Sequence, residues 1–143
     1  MNEFIVFILE DNDDDYEMIE RSFQKLQSKI SIKRFIAGEE LIEHIECLGN
    51  EIFSEISFLL LDLNLPGLNG FDVLSHLNND SNLKILPSIV FTTSNNHKDV
   101  EKAYALGANS YIVKPDNNNS FYQVFEMIES YWLGVSKIPQ GVL

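Results

Sequence analysis

Five times along this chain, a short apolar run of strand length gives way to a stretch with helical spacing. "FIVFIL" is followed by "DDDYEMIERSFQKLQ", where Tyr16, Ile19, Phe23 and Leu26 recur every three or four residues. "SIKRFI" alternates like a half-buried strand and precedes "GEELIEHIECLGN", with Leu41, Ile42, Ile45 and Leu48 on one stripe. "ISFLLLDL", "LPSIVFTTS" and "NSYIVKP" read as three further strands. "GFDVLSHLNND", "HKDVEKAYALG" and "SFYQVFEMIESYWLGV" read as the helices after them, and Gly107 is placed to stop the second of these. Such alternation predicts an α/β fold, a single-domain five-stranded parallel sheet with helices on both faces. Near-continuous apolar strands suit a sheet covered on both sides.

A chain of 143 residues suffices for one such domain. No apolar run approaches the roughly 20 residues that span a membrane, and the N-terminus lacks the features of a cleaved leader. The net charge of −12 argues against a nucleic-acid footprint, which needs clustered Lys and Arg. The single cysteine, Cys47, offers no disulfide, and a reduced cytoplasmic setting is expected. Residues 1–134 are expected to form the domain and 135–143 a tail, with no output domain following.

In an open parallel α/β sheet, sites form outside the carboxyl ends of the strands. The first strand ends in Glu10 and Asp11, the third in Asp62, the fourth in Thr92, Thr93 and Ser94, and the fifth in Lys114-Pro115. The second ends in Ile36-Ala37, with nothing reactive. Three carboxylates in one crevice repel unless a cation is present. A hard divalent ion with oxygen ligands would relieve that repulsion, and Mg²⁺ commonly takes one or two carboxylates together with waters and a phosphate. Lys114 could serve as a point charge for a phosphate oxygen, and Thr92 could donate to another. No His or Cys stands among these residues, and there is no Gly-rich phosphate loop. Asp62 is then the candidate nucleophile for a phosphoryl group, with Pro66, Gly67 and Gly70 turning the chain so as to leave room for metal and phosphate. Asp13 to Asp15 read as a cap and solvated face of the first helix, whose dipole favours them. His44, His76 and His97 are scattered, with no site in prospect.

The pieces "ILED", "LLLDLNLPGLNG", "FTTS" and "GANSYIVKP" together resemble the receiver domain of two-component response regulators. The resemblance covers nearly the whole chain and implies the flavodoxin-like strand order 2-1-3-4-5. It implies that Asp62 is the phosphoacceptor and that Glu10, Asp11, Asp62 and the backbone carbonyl of Asn64 hold Mg²⁺. Thr92 would move toward the phosphoryl group, Lys114 would pair with it, and Tyr111 would sit at the aromatic switch position. Lys114-Pro115 is expected to be cis, which is inexpensive only before proline. The implied partners are a sensor histidine kinase, whose phosphohistidine is the donor, and an unknown downstream protein. The implied role is a switch rather than an enzyme, acting as a terminal output or passing the phosphoryl group to a histidine phosphotransfer protein.

The sequence departs from many members at Glu10, where Asp is common, at Leu63, where no Trp stands beside the site, and at the small, neutral Ser94. The ending "YWLGVSKIPQ" resembles stand-alone receivers paired with bacterial phytochromes and hybrid sensor kinases, and a homodimer through the last helix and tail is one expectation. Phosphohydrolases of the haloacid dehalogenase group share the Asp, Thr, Lys and Mg²⁺ pattern. They place a second Asp two residues after the nucleophile, where this chain has Asn64. A flavodoxin-like cofactor binder is disfavoured, because "EDNDDD" would repel a phosphate after the first strand.

Overall fold

The computed structural model describes residues 4–26 and 29–139. Five strands alternate with five helices of nine residues or more. They are β1 (Phe4–Leu9), α1 (Asp13–Lys25), β2 (Ile30–Phe35), α2 (Gly38–Leu48), β3 (Phe58–Leu61), α3 (Gly70–Asn78), β4 (Ser88–Thr92), α4 (His97–Ala105), β5 (Ser110–Val113) and α5 (Asn118–Ile128). Short helical turns lie at Gly49–Glu51, Ile52–Glu55 and Leu83–Ile85. The strands form one parallel sheet in the order β2-β1-β3-β4-β5, as expected.

Successive side chains of a strand point to opposite faces, and the three inner strands are apolar on both. Phe7 and Leu9 of β1, Leu59 and Leu61 of β3 and Val90 of β4 pack with α2, α3 and α4, through residues such as Leu41, Ile45, Val73, Leu74 and Ala103. Val6 and Ile8, Phe58 and Leu60, and Ile89 and Phe91 pack the other way against Ile19 and Phe23 of α1 and Phe121, Phe125 and Ile128 of α5. The edge strands β2 and β5 are only partly covered, which is why "SIKRFI" alternates while "FLLL" does not.

Helix starts follow local chemistry. Asn12, Asn69, Asn96 and Asn117 each accept a backbone N–H with their side chain at the head of α1, α3, α4 and α5. Asn69 and Asp72 form a reciprocal capping box. At the end of α4, Gly107 adopts φ +102°, a conformation that favours glycine, and so ends the helix as its position predicts. The last helix departs from expectation. Beyond Ile128 it widens into a π-helix, Glu129–Val135, so the helical path runs one residue into the stretch expected to be a tail. Trp132 lies against Phe58, with ring centroids 6.3 Å apart, while Met127, Tyr131 and Val135 stay exposed. The last four residues of the expected tail, 140–143, lie outside the described residues.

Phe125 is fully buried and meets three other rings, Phe23 at 5.0 Å, Phe91 at 5.3 Å and Phe121 at 6.2 Å. Phe125→Ala is expected to cost about 3–5 kcal/mol of unfolding free energy in denaturant titrations, the range for emptying such a site.

Candidate functional site

The site lies where strand order reverses, between the carboxyl ends of β1 and β3. Sheet hydrogen bonding continues one residue past the strands and fixes the residues at their ends. The Asp62 N–H donates to the Leu9 carbonyl (3.0 Å), the Glu10 N–H to the Phe35 carbonyl (3.0 Å) and the Lys114 N–H to the Thr92 carbonyl (2.7 Å). Glu10, Asp62, Thr92 and Lys114 are all buried. The loop after Asp62 folds back closely. A Cβ on Gly70 would stand 2.4 Å from the Asp62 carbonyl oxygen, so only glycine lets α3 begin there. This corrects the expectation for that glycine: it permits close approach rather than opening space.

Lys114 Nζ lies 2.6 Å from Glu10 Oε1, 2.7 Å from Asp15 Oδ2 and 2.9 Å from Asp62 Oδ2. An ammonium has three donors, and here each has its own carboxylate. The second oxygens of Asp62 and Glu10 are also satisfied. Asp62 Oδ1 accepts from the Asn64 N–H (3.1 Å) and Glu10 Oε2 from the Asn12 N–H (3.2 Å). The Asn64 amide donates to Thr92 Oγ1 (3.2 Å), so Asn64 is engaged through its side chain as well as its backbone. Burial raises the Glu10 carboxyl to about 7, with the Asp62 charge adding to this and the Lys114 hydrogen bond opposing it. Lys114 is itself desolvated, yet its hydrogen bonds to Asp15 and Glu10 outweigh that and hold it firmly protonated.

Carboxylate oxygens of Glu10, Asp11 and Asp62 lie within 4.8 Å of one another. The donors are all hard oxygens, with Asp11 open to solvent and Asn64 exposed alongside, and this set suits a small divalent cation such as Mg²⁺. The structure thus brings together Glu10, Asp11, Asp62, Asn64, Thr92 and Lys114. Tyr111 stands apart, half-buried at β5, its hydroxyl donating to the Ser94 carbonyl (2.9 Å). Ser94 Oγ donates in turn to Asp99 (2.6 Å), which ties the β4–α4 loop to the helix it introduces.

Three sequence expectations need correction. Asp15 is part of the site rather than only cap and solvated face. β2 contributes a residue that the strand-end reading left out: Arg34 Nε donates to the Glu10 carbonyl (2.9 Å), its guanidinium pairs with Asp13 (2.8 Å), and it lies 4.7 Å over the Tyr16 ring. The Lys114–Pro115 peptide is trans, not cis. Trans is the commoner X–Pro state, and Lys114 reaches its partners from it. The histidines stay outside the site. His44 packs against Phe7 and Phe35, and His76 pairs with Glu46.

A family model for the response regulator receiver domain matches residues 6–126. The chain is 32% identical over 136 residues to the probable methanogenesis regulatory protein FilR2 of Methanothrix harundinacea, covering 95% of this chain and 88% of that one. Among solved structures it is similar to the phosphorylated cyanobacterial phytochrome response regulator RcpA (TM-score 0.88, 30% identity, 97% of this chain and 100% of that one). It is also similar to the Mn²⁺-bound form of the response regulator Rcp1 (TM-score 0.84, 27% identity, 95% and 99%). No helix among the described residues is long and apolar enough to cross a membrane.

The raised Glu10 value sets a pH dependence for the metal-free protein. Unfolded, Glu10 loses its proton near 4.5; folded, it keeps it to about 7. The folded state therefore binds more protons between these values, and its advantage is lost as pH rises through 7, by up to about 3 kcal/mol. Urea midpoints measured without metal should fall from pH 5 to pH 8, and Glu10→Gln should flatten that slope.

Proposed function

The chain belongs to the response regulator receiver domain family of two-component systems, and from that premise we propose that it is a phosphorylation switch with Asp62 as the phosphoacceptor. The observation that carries this reading is the buried Lys114 ammonium, bonded at 2.9 Å to an aspartate at the end of a central strand, beside two further carboxylates. Glu10, Asp11, Asp62 and the Asn64 carbonyl would hold Mg²⁺, which when bound supplies charge neutralisation and orientation for phosphoryl transfer.

The chain's own groups divide the remaining work. An Asp62 carboxylate oxygen attacks phosphorus, forming an O–P bond as the P–N bond to a sensor kinase's phosphohistidine breaks, and the imidazole leaves with the electron pair. Lys114 holds a phosphoryl oxygen as a point charge, and the Thr92 hydroxyl donates to another. Positioning and charge are the chief contributions. The product stays on Asp62, so the protein acts on itself and turns over no separate substrate. The amide at Asn64 cannot serve as the second carboxylic acid of a dehalogenase-type phosphohydrolase, which supports the switch reading.

The added group carries about −1.5 to −2 charges if it titrates like other phosphoryl modifications. As Thr92 turns toward it, the Asn64 bond to Thr92 breaks, and the Tyr111 bond to Ser94 is one of two arrangements that the switch redistributes. The responding face is then α4, β5 and α5, where a downstream partner would bind. That RcpA is seen phosphorylated and Rcp1 with Mn²⁺ supports both halves of the reading.

Intact mass should rise by one phosphoryl group when the protein is incubated with Mg²⁺ and a small acyl or amido phosphate. The increase should be absent with chelator and absent in Asp62→Asn. An equal increase in Asp62→Asn would overturn the assignment.

A further inference from the structure

Glu10 and Asp62 serve two positive charges in this site. Each accepts a hydrogen bond from Lys114, and each belongs to the carboxylate cluster with Asp11 that suits a divalent cation. A cation that draws on these two carboxylates competes with the ammonium for their negative charge. Lys114 cannot simply move out to water, because its side chain is only 4% exposed. A buried ammonium stripped of its partners is costly. Whether a cation can enter while Lys114 stays in place therefore depends on the ammonium's third partner.

That partner is Asp15, at 2.7 Å. Its position is set by the start of α1. It lies in the first turn of α1, where its backbone N–H is bonded to the Asn12 side chain (2.9 Å), so the cap that starts the helix also fixes Asp15. Its neighbour Asp13 turns away to Arg34 and is 89% exposed, against 32% for Asp15. Asp15 is not one of the three clustered carboxylates. It thus offers an oxygen that a cation at that cluster does not claim.

We infer that Asp15 is a positioning residue that anchors Lys114 when a divalent cation draws on Glu10 and Asp62, and so keeps the ammonium beside Asp62. The inference deepens the reading of Asp62 as phosphoacceptor and rests on it for the second of its effects. The first is on the cation. With Asp15 in place, Lys114 keeps a charge-assisted bond as the other two weaken; without it, cation binding strands the ammonium. The second is on phosphoryl transfer, since an ammonium tethered to α1 is still at hand for the incoming group. Asp15 touches neither metal nor phosphorus in this account. It acts through Lys114.

A double-mutant cycle separates this from a general loss of negative charge. Mg²⁺ affinity is measured by calorimetry for the wild type, Asp15→Asn, Lys114→Met and the double variant. Asp15→Asn should weaken Mg²⁺ about tenfold with Lys114 present, the scale of one charge-assisted hydrogen bond, and less than about twofold with Lys114→Met. Asp15→Glu should restore part of the loss. Equal losses in both backgrounds would mean that Asp15 acts only by its charge, and would overturn the inference, as would no loss in either. Should Lys114→Met fail to fold, the Lys114 ammonium can be followed by ¹⁵N NMR in the other proteins. Its signal should survive Mg²⁺ addition in the wild type and vanish on Mg²⁺ addition in Asp15→Asn; survival in both overturns the inference. These readouts need no phosphoryl transfer. A wild type that binds Mg²⁺ with the expected coupling but gains no phosphoryl mass would sink the functional reading and leave the anchor standing. A wild type that binds no Mg²⁺ would sink both.

Discussion

Everything at the carboxyl end of this sheet depends on one buried ammonium. Burying Glu10 and Asp62 side by side is unfavourable, because like charges in a low-dielectric site repel and each has lost its water. Lys114 makes the arrangement tolerable by giving each of its three N–H groups to a different carboxylate. It does so from the end of β5, while its partners come from β1, α1 and β3. The ion cluster therefore joins elements that are far apart in the chain, and the sheet's parallel register is what brings them together. A site poised in this way stores unfavourable charge that a cation or a new anion can rearrange.

The apolar part of the fold serves that arrangement. Because β1, β3 and β4 are packed on both faces, their ends have little freedom to shift. The hydrogen bonds at Asp62 and Lys114 extend this rigidity one residue beyond the strands. Asp62 thus comes at the end of three leucines: the run is the rigid mount, and the carboxylate is what it presents. The edge at β5 is less covered, and Tyr111 there is held by one hydrogen bond to a loop carbonyl. Rigid chemistry at the centre beside a lightly held edge is a division suited to a switch.

Much of this was legible in the sequence. Strands announce themselves as apolar runs, unbroken where both faces are buried, and residues at or just past the ends of such runs must lie at the sheet end, which picked out Glu10, Asp11, Asp62, Thr92 and Lys114. Asp15 and Arg34 were missed for geometrical reasons. Asp15 belongs to a helical turn, and three consecutive aspartates there are fully explained by the helix dipole; only the fold shows that one of them faces Lys114. Arg34 lies before the end of β2, opposite Ile8, and its long side chain reaches forward to the Glu10 carbonyl. Attention confined to the residue after each strand cannot see such a reach. The π-helical turn was invisible because apolar spacing through Trp132 fits an ordinary helix nearly as well.

The same terminal turn has a consequence for spectroscopy. Trp132 is the chain's single tryptophan, and it rests on Phe58, the first residue of β3, with Tyr131 edge-on at 5.3 Å. Asp62 lies just past the other end of that strand, roughly 13 Å further along at about 3.3 Å per residue. Intrinsic fluorescence in this protein is therefore a gauge of how the last helix seats against the sheet. Emission that stays constant on adding a ligand would say nothing about binding at Asp62, while emission that moves would mean that an event at one end of the sheet had been felt at the other.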